Sequence, residues 1–432
     1  MTYEPILTKH YGQPGCHTIE AYEKRGGYQT ARKALKEKTP KEVMEEVKAS
    51  GLRGRGGAGF PCGVKWGFVP ADHPGPRYLV VNADESEPGT FKDRLMLWND
   101  PHLVYEGIIL AAHAIQAKTA YLYIRGEFKR EYDRLLEELK KVYARGYLGK
   151  DAFGLGRPLD IHLHRGAGAY ICGEETALLS SLEGGRGYPK IKPPFPAVKG
   201  LFGSPTIVNN VETLANVPLI MERGAAWYNT IGSPGGRGPK LYCVSGHVEK
   251  PGVYEFPCGV NLLALIEAAG GVWKGRKLKA VIPGGSSSKI LKADECDIAM
   301  DFETLKNANT MLGSAGVIVL DETTCMVDAL WNVLRFYHDE SCGQCTPCRE
   351  GTGWLAKIVG RIESGGGLPD DLDVLLDVAG HMQGTTICVL ADAAAWPAES
   401  YTHKFRAEFE EHIALRGCPR KKAGKPMAGN AR

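Results

Sequence analysis

Tyr78-Leu79-Val80-Val81-Asn82-Ala83-Asp84-Glu85-Ser86-Glu87-Pro88-Gly89 reads as a buried strand, Tyr78 to Asn82, that empties into an acidic loop. Acidic residues often sit at helix starts, where the dipole favours them by roughly 0.3–1 kcal/mol. That explanation fails for Asp84, Glu85 and Glu87, because Pro88 and Gly89 make the segment a loop. Working outward, Asp100 caps and Pro101 opens a helix to about Gln116. A strand follows from Ala120 to Arg125. Phe128 to Ala144 is an amphipathic helix with Tyr132, Leu135, Leu136, Leu139 and Tyr143 on one face. Leu159, Ile161 and Leu163 alternate in a third strand, and Glu174 to Leu182 is a further helix. Strand–helix alternation predicts a parallel α/β sheet with right-handed crossovers, whose ligands sit beyond the carboxyl ends of the strands.

Two more polar segments belong to that region. The third strand runs into Gly166-Ala167-Gly168-Ala169-Tyr170-Ile171-Cys172-Gly173-Glu174-Glu175-Thr176, where the helix dipole explains Glu174 and Glu175 well. Ile207-Val208-Asn209-Asn210-Val211-Glu212 sets two amides before another helix, and Asn210 reads equally as its cap. Pro193-Pro194-Phe195-Pro196 is a rigid loop that exposes an aromatic ring.

Upstream, residues 1–38 give weak signals that end in a charged, helical stretch. Thr39-Pro40-Lys41-Glu42 is a capping box with proline at the first helical position, and Gly51 ends that helix. Then comes Gly51-Leu52-Arg53-Gly54-Arg55-Gly56-Gly57-Ala58-Gly59-Phe60. Gly54, Gly56 and Gly59 match G-x-G-x-x-G, but a helix rather than a strand precedes them, so the usual dinucleotide context fails. Glycines still let backbone N–H groups approach a flat or anionic ligand, and Arg53, Arg55 and Lys65 add positive charge. The competing reading is a flexible surface loop.

Downstream, Gly232 to Pro239 reads as a linker. Lys240 to Val248 and Gly252 to Phe256 form a hairpin, Leu262 to Ala269 a short helix, and Ala280 to Pro283 and Val317 to Leu320 returning strands, which together suggest a small β-grasp module. Its Pro283-Gly284-Gly285-Ser286-Ser287-Ser288 loop is read as a plain turn. From Cys325 the pattern is helical, about 325–340, 349–363, 370–382 and 388–414, a four-helix bundle. Cys342, Cys345 and Cys348 stand at C-x2-C-x2-C spacing after its first helix, and Cys388 opens its last. Three thiolates on one knuckle and a distant fourth suit a [4Fe–4S] cluster. Zinc is the rival, although structural zinc more often takes two separate C-x2-C pairs. His381 and His403 read as ordinary bundle residues.

The chain has 432 residues, a net charge of +3 and 12 cysteines. The charge is too small to argue for nucleic acid. No apolar run approaches the roughly 20 residues that span a bilayer; the longest, Gly107 to Ile115, carries His113. No apolar leader stands at Met1-Thr2-Tyr3-Glu4-Pro5, so a cytosolic protein with reduced, ligating thiols is expected. The expected divisions are 1–62, an N-terminal segment with the glycine loop; 63–235, the α/β domain; 236–324, the β-grasp module; 325–415, the bundle; and 416–432, a basic solvated tail.

GLRGRGGAGFPCGVKW, NADESEPGTFKDR, GAYICGEETALL, SCGQCTPCREG and TTICVLADAAA occur together and in that order. Over about residues 15–415 the chain resembles the NADH-binding flavoprotein subunit of respiratory complex I. The resemblance implies a Rossmann-like FMN-binding α/β domain, a ubiquitin-like β-grasp domain and a bundle holding a [4Fe–4S] cluster on Cys342, Cys345, Cys348 and Cys388. It implies FMN against Gly54, Arg55, Gly56, Gly57 and Lys65, with Asn82, Asp84, Tyr170, Gly173, Glu174, Asn209 and Asn210 completing the site. Phe60, Phe68 and Phe195 are implied near the rings of NAD(H), and Glu87, Glu175 and Lys192 near its polar groups. Glu85 and Glu174 are positioning candidates for hydride transfer. Cys62 departs from the small hydroxyl residue expected there. The implied partners are a thioredoxin-like [2Fe–2S] subunit and the large iron–sulfur subunit of the complex, through which the chain would sit at the inner membrane without inserting. The alternative is the diaphorase subunit of an NAD-linked hydrogenase or formate dehydrogenase, whose chains often carry further N-terminal iron–sulfur domains.

Overall fold

The computed structural model describes residues 3–420. Its first sheet is parallel, with strands β1 (Tyr78–Ala83), β2 (Thr119–Ile124), β3 (Asp160–Arg165) and β4 (Thr206–Asn210) in the order β3-β2-β1-β4. β4 is a strand where the sequence pattern shows only two amides before a helix. It pairs Val81 with Asn209 and Asn82 with Asn210. Side chains alternate across a strand. Leu79 and Val81 therefore enter one core, while Val80 enters another. The first core holds the helix Pro101–Ile115, buried along its whole length, and the N-terminal helices that carry Ile19, Ala31 and Val43. Residues before position 62 thus share the core of the α/β unit. The second core joins Val80, Tyr123 and Val208 to bundle residues such as Met326, Leu330 and Ala394.

The helix Lys92–Asn99 was not legible, because its first turn is Lys92 and Asp93. Both are buried, where a charged turn normally faces water. Gly232 to Pro239 is not a plain linker. It forms a two-stranded ribbon, β5 (Gly232–Ser233) and β6 (Gly236–Arg237), and leads into β7 (Pro239–Gly246). The second sheet adds β8 (Gly252–Pro257), β9 (Leu278–Ile282), β10 (Leu291–Lys292) and β11 (Gly316–Asp321) in the order β10-β9-β11-β7-β8. The hairpin β7–β8 and the helix Leu262–Ala268 fall where the alternation placed them.

The bundle helices are Met326–Glu340, Thr346–Glu363, Asp371–Met382, Leu390–Lys404 and Arg406–Leu415. The expected last helix is broken at Phe405, so there are five. Residues 416–420 do not trail into solvent. Arg420 Nη1 donates to the carbonyl of Glu322 at 3.0 Å. The rest of the expected tail lies outside the described residues. No helix among the described residues is long and apolar enough to cross a membrane.

Candidate active site

Beyond the carboxyl ends of β1 and β3 lies a cleft of about 430 Å³. The acidic loop after β1 supplies Asn82, Asp84, Glu85 and Glu87. The turn after β3 supplies Tyr170, Gly173 and Glu174. Gly56, Gly57 and Asn210 close a third side. A Cβ added to Gly57 would meet nothing within 4 Å, so this stretch of backbone is open to a ligand. Gly57 has φ +145°, which L side chains rarely adopt. At Gly56 the constraint is different: an added Cβ would stand 3.0 Å from Asn210 Cβ.

The loop after β1 folds on its own hydrogen bonds. Asn82 Oδ1 accepts from Asp84 N at 3.0 Å, and Asn82 Nδ2 donates to the Gly173 carbonyl at 2.8 Å, tying the ends of β1 and β3 together. Both carboxylate oxygens of Asp84 and the hydroxyl of Ser86 are buried without a protein partner. Burial pushes the Asp84 carboxyl up to about 7, against the pull of Arg125. Glu85 is also held up at about 7, by burial first and by Asp93 second. Its oxygens accept from Asp93 N at 2.8 Å and Arg94 N at 3.0 Å, so it caps the helix Lys92–Asn99. Glu174 is likewise a cap, accepting from Thr176 N at 2.8 Å and Ala177 N at 3.0 Å. The two positioning candidates thus line the cleft and also hold helix starts.

Glu87 joins the α/β unit to the β-grasp module. It accepts from Tyr170 Oη at 2.6 Å, from Ser287 N at 2.8 Å and from Ser287 Oγ at 2.7 Å. The serine loop before β10, read from sequence as a plain turn, is thereby a wall of the cleft, together with Gly284. Nothing in a serine triplet announces that role, since its partner lies about two hundred positions away in the chain.

Several expected ligands lie off the cleft wall. Arg55 is fully buried and turned away from it. Its Nη2 donates to the Pro239 carbonyl at 3.2 Å and approaches Tyr228 Oη at 3.4 Å and the Arg237 carbonyl, while its backbone N–H donates to Thr213 Oγ1 at 2.8 Å. Its charge therefore stitches the glycine loop to the ribbon β5–β6. Gly54 closes its own loop, N–H to the Phe60 carbonyl at 2.8 Å. Asn209 is buried under Trp66, accepting its indole N–H at 2.8 Å, with Cys62 Sγ on its amide at 3.8 Å. Phe60 and Phe68 form an exposed pair with ring centroids 5.9 Å apart, and Phe195 is exposed. Lys65 and Lys192 converge on Glu175 at 2.8 and 3.2 Å, and Lys192 also reaches Glu174 at 3.0 Å. Burial works against the Glu175 charge, but the two lysines outweigh it and hold the carboxyl below its ordinary range.

Under the cleft runs a line of buried charge. Lys92 Nζ sits 2.8 Å from Asp93 and 2.9 Å from Glu212, and Lys240 Nζ sits 2.8 Å from the same Glu212 oxygen. Burial opposes the Glu212 charge, yet Lys240 and Lys92 bring its carboxyl down to about 2. Lys92, with two carboxylates, is held charged against burial. Lys240 has Glu212 alone, and burial draws it down to about 8.

On the far side of the cleft, Cys342, Cys345, Cys348 and Cys388 surround a small cavity that Ile171, Pro189, Ile387 and Leu390 keep apolar. Cys345 stands at the N-cap position of the helix Thr346–Glu363 without a side-chain capping bond, Cys348 lies in its first turn, and Cys388 sits two residues before Leu390–Lys404. The Ile387 N–H points at Cys345 Sγ at 3.4 Å, and Ser341 Oγ stands 3.3 Å from Cys348 Sγ. Hydrogen bonds to sulfur of this kind tune an iron–sulfur cluster. Burial pushes the Cys388 thiol up to about 12, so its thiolate needs a neighbouring cation. The donor set fits a [4Fe–4S] cluster. The open glycine floor and the orphaned Asp84 and Ser86 atoms fit a polar, planar ligand in the cleft. Ile171, Cys388 and Leu390 line both cavities.

Family models match in three places. "Nuo51 FMN-binding domain" covers residues 47–219, "SLBB domain" 240–319 and "NADH-ubiquinone oxidoreductase-F iron-sulfur binding region" 328–412. The chain is 52% identical to the NADH-quinone oxidoreductase F subunit numbered 2 in Rhizobium meliloti, over 96% of its length and 99% of the relative's. It is 51% identical to the F subunit of Rickettsia felis, over 95% of this chain and 97% of that one. Among solved structures, an NAD+-reducing [NiFe]-hydrogenase in the H2-reduced state superposes with a TM-score of 0.82 at 37% identity, over 89% of this chain. The chain spans 64% of the length of that hydrogenase chain. The near-complete coverage on both sides rests with the quinone oxidoreductases, and the chain belongs to the family of NADH-quinone oxidoreductase F subunits.

Proposed function

We propose that the chain oxidises NADH with FMN bound in the cleft and delivers electrons singly to a [4Fe–4S] cluster on Cys342, Cys345, Cys348 and Cys388, and on toward quinone through partner subunits. The observation that carries this reading is the shared wall: Ile171, Cys388 and Leu390 face both cavities. Bound FMN supplies the exchange between a two-electron hydride donor and a one-electron carrier. The protein's part is to bind, orient and exclude water. Backbone at Gly56 and Gly57 would hold the ligand along that open side of the cleft. Lys92 is the one cation on the cleft wall among the described residues, and Asp93 and Glu212 already balance it. Phosphate recognition therefore falls to N–H groups of the glycine loop, which need no net charge. Asp84, carrying a proton near neutral pH, can donate as well as accept there. The Lys65–Glu175–Lys192 group meets the cleft through Glu174, and it is the charged feature against which NADH would be oriented.

The partners this reading calls for are the thioredoxin-like [2Fe–2S] subunit and the large iron–sulfur subunit, with the chain on the cytoplasmic side of the inner membrane. The superposition on the hydrogenase chain supports a second reading, a diaphorase subunit, and the subunits that co-purify decide between them. The test of the main reading is Cys388→Ser. NADH oxidation by an artificial acceptor that draws electrons from FMN should persist, and NADH-linked quinone reduction should fail. A parent protein that binds neither flavin nor iron would end the reading.

A further inference from the structure

Twelve cysteines are four more than the cluster needs even after Cys16, Cys62, Cys172 and Cys243 are set aside as buried packing thiols. Two of those four, Cys325 and Cys418, lie 93 positions apart in the chain and meet at the base of the bundle, Sγ to Sγ 3.6 Å. Between them stand His412 and Glu363. Cys325 Sγ is 3.2 Å from His412 Nε2 and 3.7 Å from Glu363 Oε2, and His412 Nε2 is 3.4 Å from that same oxygen. All four donor atoms fall within 4.8 Å of one another. The geometry points to a second metal site: we propose that Cys325, Glu363, His412 and Cys418 hold one zinc ion, separate from the iron–sulfur cluster.

Four of the six separations, 3.2–3.7 Å, are close to the edges of a tetrahedron around zinc. With zinc–sulfur bonds of about 2.3 Å, the sulfur–sulfur edge is about 3.8 Å; with zinc–nitrogen and zinc–oxygen bonds of about 2.0–2.1 Å, the mixed edges are about 3.3–3.5 Å. Four protein donors fill a tetrahedral zinc shell, which makes the site structural rather than catalytic. The surroundings are those of a ligand set. His412 Nδ1 lies 2.6 Å from the Glu408 carbonyl, so that nitrogen keeps its proton and Nε2 is the one left to ligate an ion at the centre. The Asp328 N–H points at Cys325 Sγ at 3.5 Å from the first turn of a 15-residue helix, an arrangement that favours a thiolate. Glu363 and His412 are wholly buried, so water does not compete for them. Two thiolates, one carboxylate and a neutral imidazole need a soft divalent cation, and thiolate with imidazole selects zinc among the common ones.

The ligands come from four places: the joint after β11, the ends of the helices Thr346–Glu363 and Arg406–Leu415, and the segment beyond the last helix. One ion would pin the β-grasp joint and the chain's final described residues to the bundle.

The test measures metal in the full-length protein purified with its flavin and iron and without chelators. Elemental analysis should return about one zinc per chain beside the cluster iron. Cys418→Ser, placed after the last helix, should lose the zinc and keep iron and FMN. Cys342→Ser should lose iron and keep the zinc, which separates this site from zinc misplaced in the cluster cavity. Absence of stoichiometric zinc both as isolated and after incubation with zinc overturns the proposal. So does zinc retained in Cys418→Ser, or a non-reduced peptide map of the parent in which Cys325 and Cys418 are joined, because that identifies a disulfide at the site instead.

Discussion

Glu212→Gln tests the buried charge line directly. Glu212, Lys92 and Lys240 have fully buried side chains, and one carboxylate serves both lysines and the Leu241 N–H, at 2.8–2.9 Å. Glutamine keeps the volume and an acceptor for Leu241 but removes the charge. Lys92 keeps Asp93, whereas Lys240 loses its only ion-pair partner among the described residues. Breaking a buried pair from one side costs about 3–5 kcal/mol, a large part of the 5–15 kcal/mol typical of a domain. The sign of the pH dependence follows from Glu212. Its carboxyl, near 4.5 when unfolded, is at about 2 when folded, so its contribution is complete above about 4.5 and fades as pH falls toward 2. Urea unfolding followed by tryptophan fluorescence, with Trp66 buried in the same unit, should show the variant weaker by that amount at pH 7. The two curves should converge as the solution is acidified. Adding Lys240→Met to Glu212→Gln should restore part of the loss. A variant as stable as the parent at pH 7, or a deficit that does not shrink in acid, would refute the argument.

The other expectations are shorter. Gly56→Val should abolish FMN retention, since a Cβ already stands 3.0 Å from Asn210 Cβ and the branches come closer still; normal flavin content after gel filtration would exclude a close-approach role. Glu175→Gln frees Lys65 and half of Lys192, and should raise kcat/KM for NADPH relative to NADH by about tenfold, an effect of about 1.4 kcal/mol; an unchanged ratio would remove charge at this position as the selector. Asp84→Asn should flatten the pH profile of the flavin-free chain. With the folded carboxyl at about 7 and the unfolded one at about 4, the parent loses up to about 4 kcal/mol as pH rises across that window, and the amide does not. Parallel profiles would show that the Asp84 proton is not held by burial.

How much of this was readable beforehand follows from the range of each interaction. β1, β2 and β3, the hairpin β7–β8 and the capping box at Thr39 were legible because their signals are local: alternation, a cap and a proline within a few residues. The cysteine knuckle was legible for the same reason. The helix Lys92–Asn99 was missed because its charges are satisfied by Glu212, 120 positions later, rather than by water. Arg55 was placed near a ligand by its charge among the glycines and by the resemblance, and its side-chain contacts with the Arg237 and Pro239 carbonyls become visible only once the ribbon β5–β6 has folded. Cys325 and Cys418 looked like scattered thiols, since no spacing rule brings together positions that meet only when the bundle closes.

The walls of the cleft have one more consequence, in the order in which they are made. Gly56 leaves the ribosome first, the serines that grip Glu87 follow near position 287, and Trp396 comes last. At roughly 5–20 residues per second, those 340 positions take roughly 17–70 seconds to synthesise. Between the emergence of Glu212 and that of Lys240 the acidic loop has Tyr170 for a partner but no serine loop, and Lys92 has Glu212 while Lys240 is still to come. The cleft is therefore a late product of synthesis. A chain cut short before Gly284 keeps the glycine loop and all four strands of the first sheet, yet has no complete cleft to offer the cofactor.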